Sequence, residues 1–512
     1  MRNIIKTLLL SVIVFGMNSC TEEKILNLSP INNIADDAAF STPSLIESSM
    51  NGVYNAAGVG QYNSTSANGG RGYIWGAAFV EQGECRGEDA VNAATFYQLT
   101  YTATYDPTTA NNSYYWIDGY RLINRCNLMI EGVTAAVASG TITQAVGNDY
   151  IGQAKFLRAI THFELLTYFA RPYNFTAGAT HLGIPYREVG INTQSEIDSE
   201  ILKPRNTVAE CYTKILADLN DAETLITTNT ISKASKNAAI AFKTRVYLHK
   251  RDWPNVITEG SKLNTAYTLT ALPSGVFTNN LANTESIFSI QHSATSNPGV
   301  NGALASMLKT RALVTISPII WRNASWLLDD KRREEGVMIY TASGRKYTNK
   351  YIDATNLSDA SPVIRYAEVL LNMAEANARL ITPDLGTALT LLNRVRNRSL
   401  ATPATQAYTA ATLPTQTDMV KAILVERRIE FIMEGRRWSD IHRLQGDNIA
   451  PIDGIPAKIA NGAPAASLFT LGTPYTGTFG VPAIPGSDYK FLWPIPQLEL
   501  NTNPGLGQNP GW

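Results

Sequence analysis

The chain has 512 residues, ample for a sizeable core and, as a prior, for two to four folding units or one large mixed one. Its 43 Lys and Arg balance 43 Asp and Glu, which argues against a nucleic-acid binder with its usual basic excess. The 23 Tyr and 8 Trp, set among Asn, Thr and Gly, suit a protein that presents aromatic surfaces to polar ligands.

Residues 1–19 read as a targeting segment. Arg2 and Lys6 supply a basic start, and Leu8 to Phe15 form an apolar run too short to span a bilayer. The run ends at Met17-Asn18-Ser19-Cys20, which looks like a bacterial lipoprotein signal cleaved before Cys20 and acylated on that thiol. A plain secretory peptide with an incidental Cys20 is the alternative. Residues 20–35 read as an extended anchor segment. Of the four cysteines, three follow Cys20: Cys85, Cys126 and Cys211. An odd number at wide spacing makes neither a disulfide framework nor a metal site. An oxidising compartment permits one bridge, such as Cys85 with Cys126; buried free thiols are the default.

The chain then divides into residues 36–266 and 267–512. Asp37 to Ala57 predicts a helix. Gly58 to Tyr114 has no long 3.6-residue period and reads as loops with short elements, a length uncommon unless functional. Helices are expected over Tyr114 to Val133, Asp149 to Phe169, Thr207 to Ile226, Ser235 to Lys250 and Trp253 to Asn264. Residues 267–360 form an insertion, with strands from Ile287 and Arg345. Helices return over 361–437: Ser361 reads as an N-cap and Pro362 as the first helical residue. Leu385 to Ser399 and Asp418 to Arg437 complete the set. The Pro- and Gly-rich tail from Gly446 cannot be helical in its last part. About eight helices in antiparallel-looking pairs, several near the ~34-residue tetratricopeptide unit, make a mainly α fold of stacked pairs.

One stretch is unusual. In VERRIEFIMEGRRWSDIHRL, from Val425, residues Glu426, Arg427, Glu430, Glu434 and Arg437 share one side of a helix bordered by apolar residues. A surface helix with paired charges is the bland reading. The sharper one is a structural ion network, with carboxylates and guanidinium groups satisfying each other under cover. Gly435 suggests a turn near its end.

The five histidines sit in no HExxH or other metal spacing, and neither a GxSxG elbow nor a phosphate-binding loop occurs. No cofactor is implied. Carboxylates are plentiful enough for a glycosidase pair, whose members need not be close in sequence. Sugar binding requires flat rings for C–H faces and planar polar partners for hydroxyls. The loops offer Tyr73, Trp75, Tyr97 and Tyr101 with Arg86 and Asp89; the insertion offers Trp321, Arg322 and Trp326. For each ring, a place in the core or at a partner interface competes with ligand contact.

Three segments together carry a resemblance: VIRYAEVLLNMAEANARL from Val363, ERRIEFIMEGRRWSDIHRL from Glu426, and the terminus from FLWPIP to NPGLGQNPGW. With ILNLSP after Cys20, NGVYNA from Asn51, AKFLRAITHFELLTYFA from Ala154 and DDKRRE from Asp329, the chain resembles the SusD/RagB family of outer-membrane lipoproteins. The resemblance implies a tetratricopeptide-like scaffold with a loop-rich ligand region and few strands. It implies a lipid-anchored protein on the outer membrane, facing the cell exterior and capping a TonB-dependent, SusC-like transporter. Such a protein binds oligosaccharide, or in some members peptide or glycopeptide, and is not an enzyme. Aromatic ligand contacts would come from broadly the two loop regions named above. A secreted glycoside hydrolase and a scaffold that binds only protein are the competing readings.

Overall fold

The computed structural model describes residues 36–61, 70–279, 281–503 and 505–512. The expected leader, Cys20 and the anchor segment lie outside the described residues. Among the described residues, no helix is long and apolar enough to cross a membrane.

The fold is mainly helical. Its helices of seven or more residues are α1 Pro43–Gly58, α2 Ala77–Cys85, α3 Ala110–Ala138, α4 Gln144–Phe169, α5 Gln194–Glu200, α6 Val208–Leu225, α7 Lys236–Lys250 and α8 Trp253–Ser261. After the insertion come α9 Tyr366–Arg379, α10 Leu385–Asn397, α11 Gln416–Glu430 and α12 Arg437–Arg443. Local chemistry sets many of the starts. Thr207 and Glu210 close a reciprocal capping box at α6, and Ser235 caps α7 through the Ala238 N–H. Helices stack in succession: α3 on α4, α4 on α6, α6 on α7, α7 on α8. Then α9 docks on α7 and α8 across the insertion, and α10 and α11 pack on α9. Each helix thereby buries a face that it could not bury alone.

Among the described residues, six short strands form three antiparallel pairs. β1 Ala90–Asn92 pairs with β3 Val314–Ile316, joining the two halves of the chain. β2 Ser286–Ile290 pairs with β6 Ser361–Arg365. β4 Ile339–Ala342 and β5 Arg345–Thr348 form a hairpin, with Ser343 and Gly344 both at positive φ (49° and 73°), as a two-residue turn matched to strand twist requires.

The helix start expected at Ser361 is not there. Ser361 and Pro362 are extended and pair with β2, and α9 begins at Tyr366 after Arg365 at φ −137° and ψ 161°. A cap is worth only ~1 kcal/mol, less than a buried strand pairing. The helix expected over Asp418 to Arg437 stops at Glu430. Residues 431–436 turn, with Met433 at φ 60° and Gly435 at φ 75°, before α12. Lys350 fixes that break: its ammonium donates to the Glu430 carbonyl (3.0 Å), the Ile432 carbonyl (2.8 Å) and the Glu434 carboxylate (2.7 Å). Cys85, Cys126 and Cys211 are free, buried thiols, so the permitted Cys85–Cys126 bridge is not formed.

Candidate functional site

The charged side of α11 is buried. Glu430 accepts from Arg332 (2.9 Å), Arg365 (2.7 Å) and Arg398 (2.5 Å), and Glu426 from Arg332 (2.6 Å) and Arg396 (3.0 Å). Glu434 takes Arg365 and Lys350. Arg427 pairs with Asp440 (2.9 Å), and Arg437 with Glu88 (2.6 Å). Burial pushes the Glu430 carboxyl up, but the three guanidinium groups overcome it and hold it well below the usual range. Each of these charges has an oppositely charged partner within hydrogen-bond reach, so the carboxylates are committed within the cluster.

The network also accounts for two residues considered as ligand contacts. Asp89 accepts from Arg428 (2.8 Å) and lies 3.4 Å from Arg437. Arg86 lies 3.8 Å over the Trp438 ring and donates to the Tyr105 hydroxyl (3.1 Å) and the Phe491 carbonyl (2.5 Å).

The rings of the first loop region are packed, not displayed. Tyr73, Trp75, Tyr97 and Tyr101 are all 0 % exposed. They are folded around α2, every residue of which is buried. Tyr73 donates to Asn111 (2.7 Å) and Tyr101 to the Ile459 carbonyl (2.7 Å). Trp75 sits at φ 66° with its ring 4.9 Å from Phe79. The expectation of open, ring-bearing loops gives way here to an aromatic core, since none of these rings offers a face to solvent.

In the second region the rings are also buried, Trp321 at 3 % and Trp326 at 2 % exposed, but they lie beside open space. Trp321, Arg322 and Trp326 come together beside a recess of about 210 Å³. The two indoles meet edge to face at 5.3 Å, and Trp321 donates to the Phe469 carbonyl (3.0 Å). Arg322, half-buried, donates to the carbonyl (2.8 Å) and hydroxyl (2.6 Å) of Thr473, which brings the 471–474 loop over as the far wall. Arg333 lies 4.4 and 4.3 Å over the two indoles and donates to both of their carbonyls. Burial lowers its pKa to about 10. Its Nη1 and the Trp326 Nε1 are buried and have no hydrogen-bond partner. The recess is lined by Trp326, Arg322 and Arg333 together with Leu327, Leu328, Leu471 and Pro474, with no carboxylate in its lining. Such unsatisfied buried donors each cost ~1–3 kcal/mol. Arg333 is not singled out by the sequence, although its place in DDKRRE, seven residues after Trp326, is a local signal. The 471–474 wall, far along the chain, has none. Among the described residues, no cluster of His, Cys, Asp and Glu could hold a metal ion.

Comparison with known proteins supplies the family. Residues 319–512 match the family model described as the SusD family, and residues 26–248 match one described as starch-binding associating with outer membrane. SusD-like protein P2 of Formosa agariphila is 24 % identical, covering 98 % of each chain. The crystal structure of a SusD superfamily protein from Bacteroides fragilis superposes with a TM-score of 0.75 at 27 % identity, covering 91 % of this chain and 99 % of that one. A SusD-like carbohydrate binding protein from Bacteroides vulgatus shares the fold, with a TM-score of 0.70 at 20 % identity over 91 % of this chain and 97 % of that one. The two matched segments take in most of the sequence, the relatives align end to end, and the stacked helices agree: the chain belongs to the SusD family.

Proposed function

We propose that this protein captures oligosaccharide at the outer membrane and delivers it to a TonB-dependent, SusC-like transporter, held to the membrane by a lipid on Cys20 and facing outward. Its family, and the carbohydrate-binding designation of a protein that shares its fold, support the ligand class. The observation that carries the site is the recess beside Trp321 and Trp326. It sets the edge of the Trp326 indole beside the guanidinium groups of Arg322 and Arg333, the two kinds of group a sugar requires. Binding without turnover is expected, because the carboxylates nearest the site are committed: Asp330 accepts from Arg332 at 2.8 Å, and Asp329 from Gln406 at 2.8 Å.

Calorimetric titration with a panel of oligosaccharides tests the reading. Arg322→Ala, a change at a half-buried side chain, is expected to weaken binding at least tenfold while leaving the melting temperature near that of the wild type. Unchanged affinity would remove the site from this recess. Cleavage of the glycan by pure protein would overturn the binding role, and preference for a peptide would change the ligand. Membrane extracts of the lipid-bearing chain should retain a large outer-membrane barrel on affinity capture. Capture of no barrel would sink the delivery step.

A further inference from the structure

A larger recess, about 420 Å³, lies elsewhere on the molecule, between the segment joining α6 to α7, the first turn of α7, the segment after α8 and the lead into β2. It shares no residue with the tryptophan recess. Its walls are tied together by backbone bonds: Ser289 N–H donates to the Ile231 carbonyl (2.9 Å) and Thr268 N–H to the Thr284 carbonyl (3.0 Å). The Asn283 side-chain carbonyl accepts from the Glu285 and Ser286 N–H groups at 2.9 and 2.7 Å, which fixes the lower rim. The shape is therefore held by backbone bonds and by the Asn283 side chain.

Most of the side chains that face the space are polar and neutral, with Ile231, Ala266 and Ile287 between them. Asn229, Thr230, Asn237, Thr265, Tyr267 and Thr284 contribute amides, hydroxyls and one phenol, and no residue of the lining carries a charge. Among the described residues, the side chains of Asn229, Thr230, Thr265 and Thr284 make no internal hydrogen bond. Amides and hydroxyls can both donate and accept, which matches a ligand whose own groups do both. A charged ligand would lose hydration here and find no counter-ion. Tyr267 is half-buried, its ring backed by Tyr366 at 6.1 Å and 33°, so it is braced to receive the C–H face of a ring. A volume of this order holds a small-molecule ligand.

We infer that this recess is a second, independent binding site, for an uncharged and hydroxyl-rich ligand: a neutral glycan chain. The inference rests on the glycan-binding reading and adds a site to it. Two separated sites on one rigid body would raise retention of a long chain through effective concentration.

The test uses purified protein, neutral gluco-, manno- and galacto-oligosaccharides, and oligogalacturonate as the charged comparison. Hydrogen exchange should show protection over 229–237 and 265–287 with a neutral sugar and not with oligogalacturonate. Tyr267→Ala should remove one class of site from the isotherm, at least tenfold in affinity, and leave the class that depends on Arg322. Tyr267→Phe should retain it. Thr284→Arg, at an exposed position, fills the recess with charge and should mimic Tyr267→Ala without lowering the melting temperature. An isotherm unchanged in Thr284→Arg, or protection confined to the tryptophan recess, overturns the second site while the glycan reading stands. Absence of binding to every sugar overturns both.

Discussion

Glu81 has the surroundings least suited to its charge. It is 0 % exposed on α2, and neither carboxylate oxygen has a hydrogen-bond partner. Burial pushes its pKa up to about 8 from an ordinary 4.5, against smaller opposing effects from Tyr97 and Arg311. Between those values the folded chain holds a proton that the unfolded chain releases, so stability falls as pH rises from about 5 past 8. Glu81→Gln keeps the shape and removes the titration. Its urea midpoint should fall less than that of the wild type between pH 6 and 9, with a gain at pH 9 on the order of 1–3 kcal/mol. Parallel pH profiles would show that the carboxyl does not titrate in the fold. The same segment shows what the sequence hides at this scale. Trp321, Arg322 and Trp326 were legible as a group because they are neighbours along the chain. Tyr73, Trp75, Tyr97 and Tyr101 read as surface rings because α2 is buried on every side and so carries no amphipathic period.

The elements follow the same logic. Helices with a clear apolar stripe, such as α6 and α10, begin and end within two residues of where spacing and caps put them. α3 runs five residues further than expected, to Ala138, because its last turns, VTAAVA, are small and give no stripe. β6 was read as a helix start because Ser-Pro is a local signal and its partner β2 lies some seventy residues away. The break after α11 depends on contact with α2. A Cβ on Gly435 would lie 3.0 Å from Phe79 Cε1 and 3.1 Å from Val80 Cα, at φ 75°. The Gly435 N–H donates to the Glu84 carboxylate at 2.8 Å. Gly435→Ala therefore strains both backbone and packing, and a loss of ~1–3 kcal/mol is expected in chemical denaturation. A loss below ~0.5 kcal/mol would mean that the turn re-forms elsewhere.

Across the whole molecule, ion pairs join what the chain separates. Arg428 and Asp89 are 339 residues apart, and Glu285 binds Arg365 at 2.7 Å. Burial opposes ionisation of Glu88 and Glu368, yet their arginine partners hold both at about 2, below an ordinary 4.5. Such carboxylates stabilise the fold above about pH 4.5, and the contribution is lost as pH falls toward 2. Acid unfolding followed by near-ultraviolet dichroism and by tryptophan emission should give one coincident transition, because the pairs span both halves. Two resolved transitions would show that the halves unfold separately.

The tail has a temporal consequence. Trp493 N–H donates to the Tyr168 carbonyl, Asn509 to the Phe169 and Trp493 carbonyls, and Arg205 to Asn509. The far end of α4 is therefore completed by residues that leave the ribosome more than three hundred positions later. Contacts of such range close slowly, so the nascent polypeptide stays open and threadable until its synthesis is nearly finished. The far end of α4 should therefore be the last part of that helix to gain protection from hydrogen exchange during refolding, once the tail has docked on it.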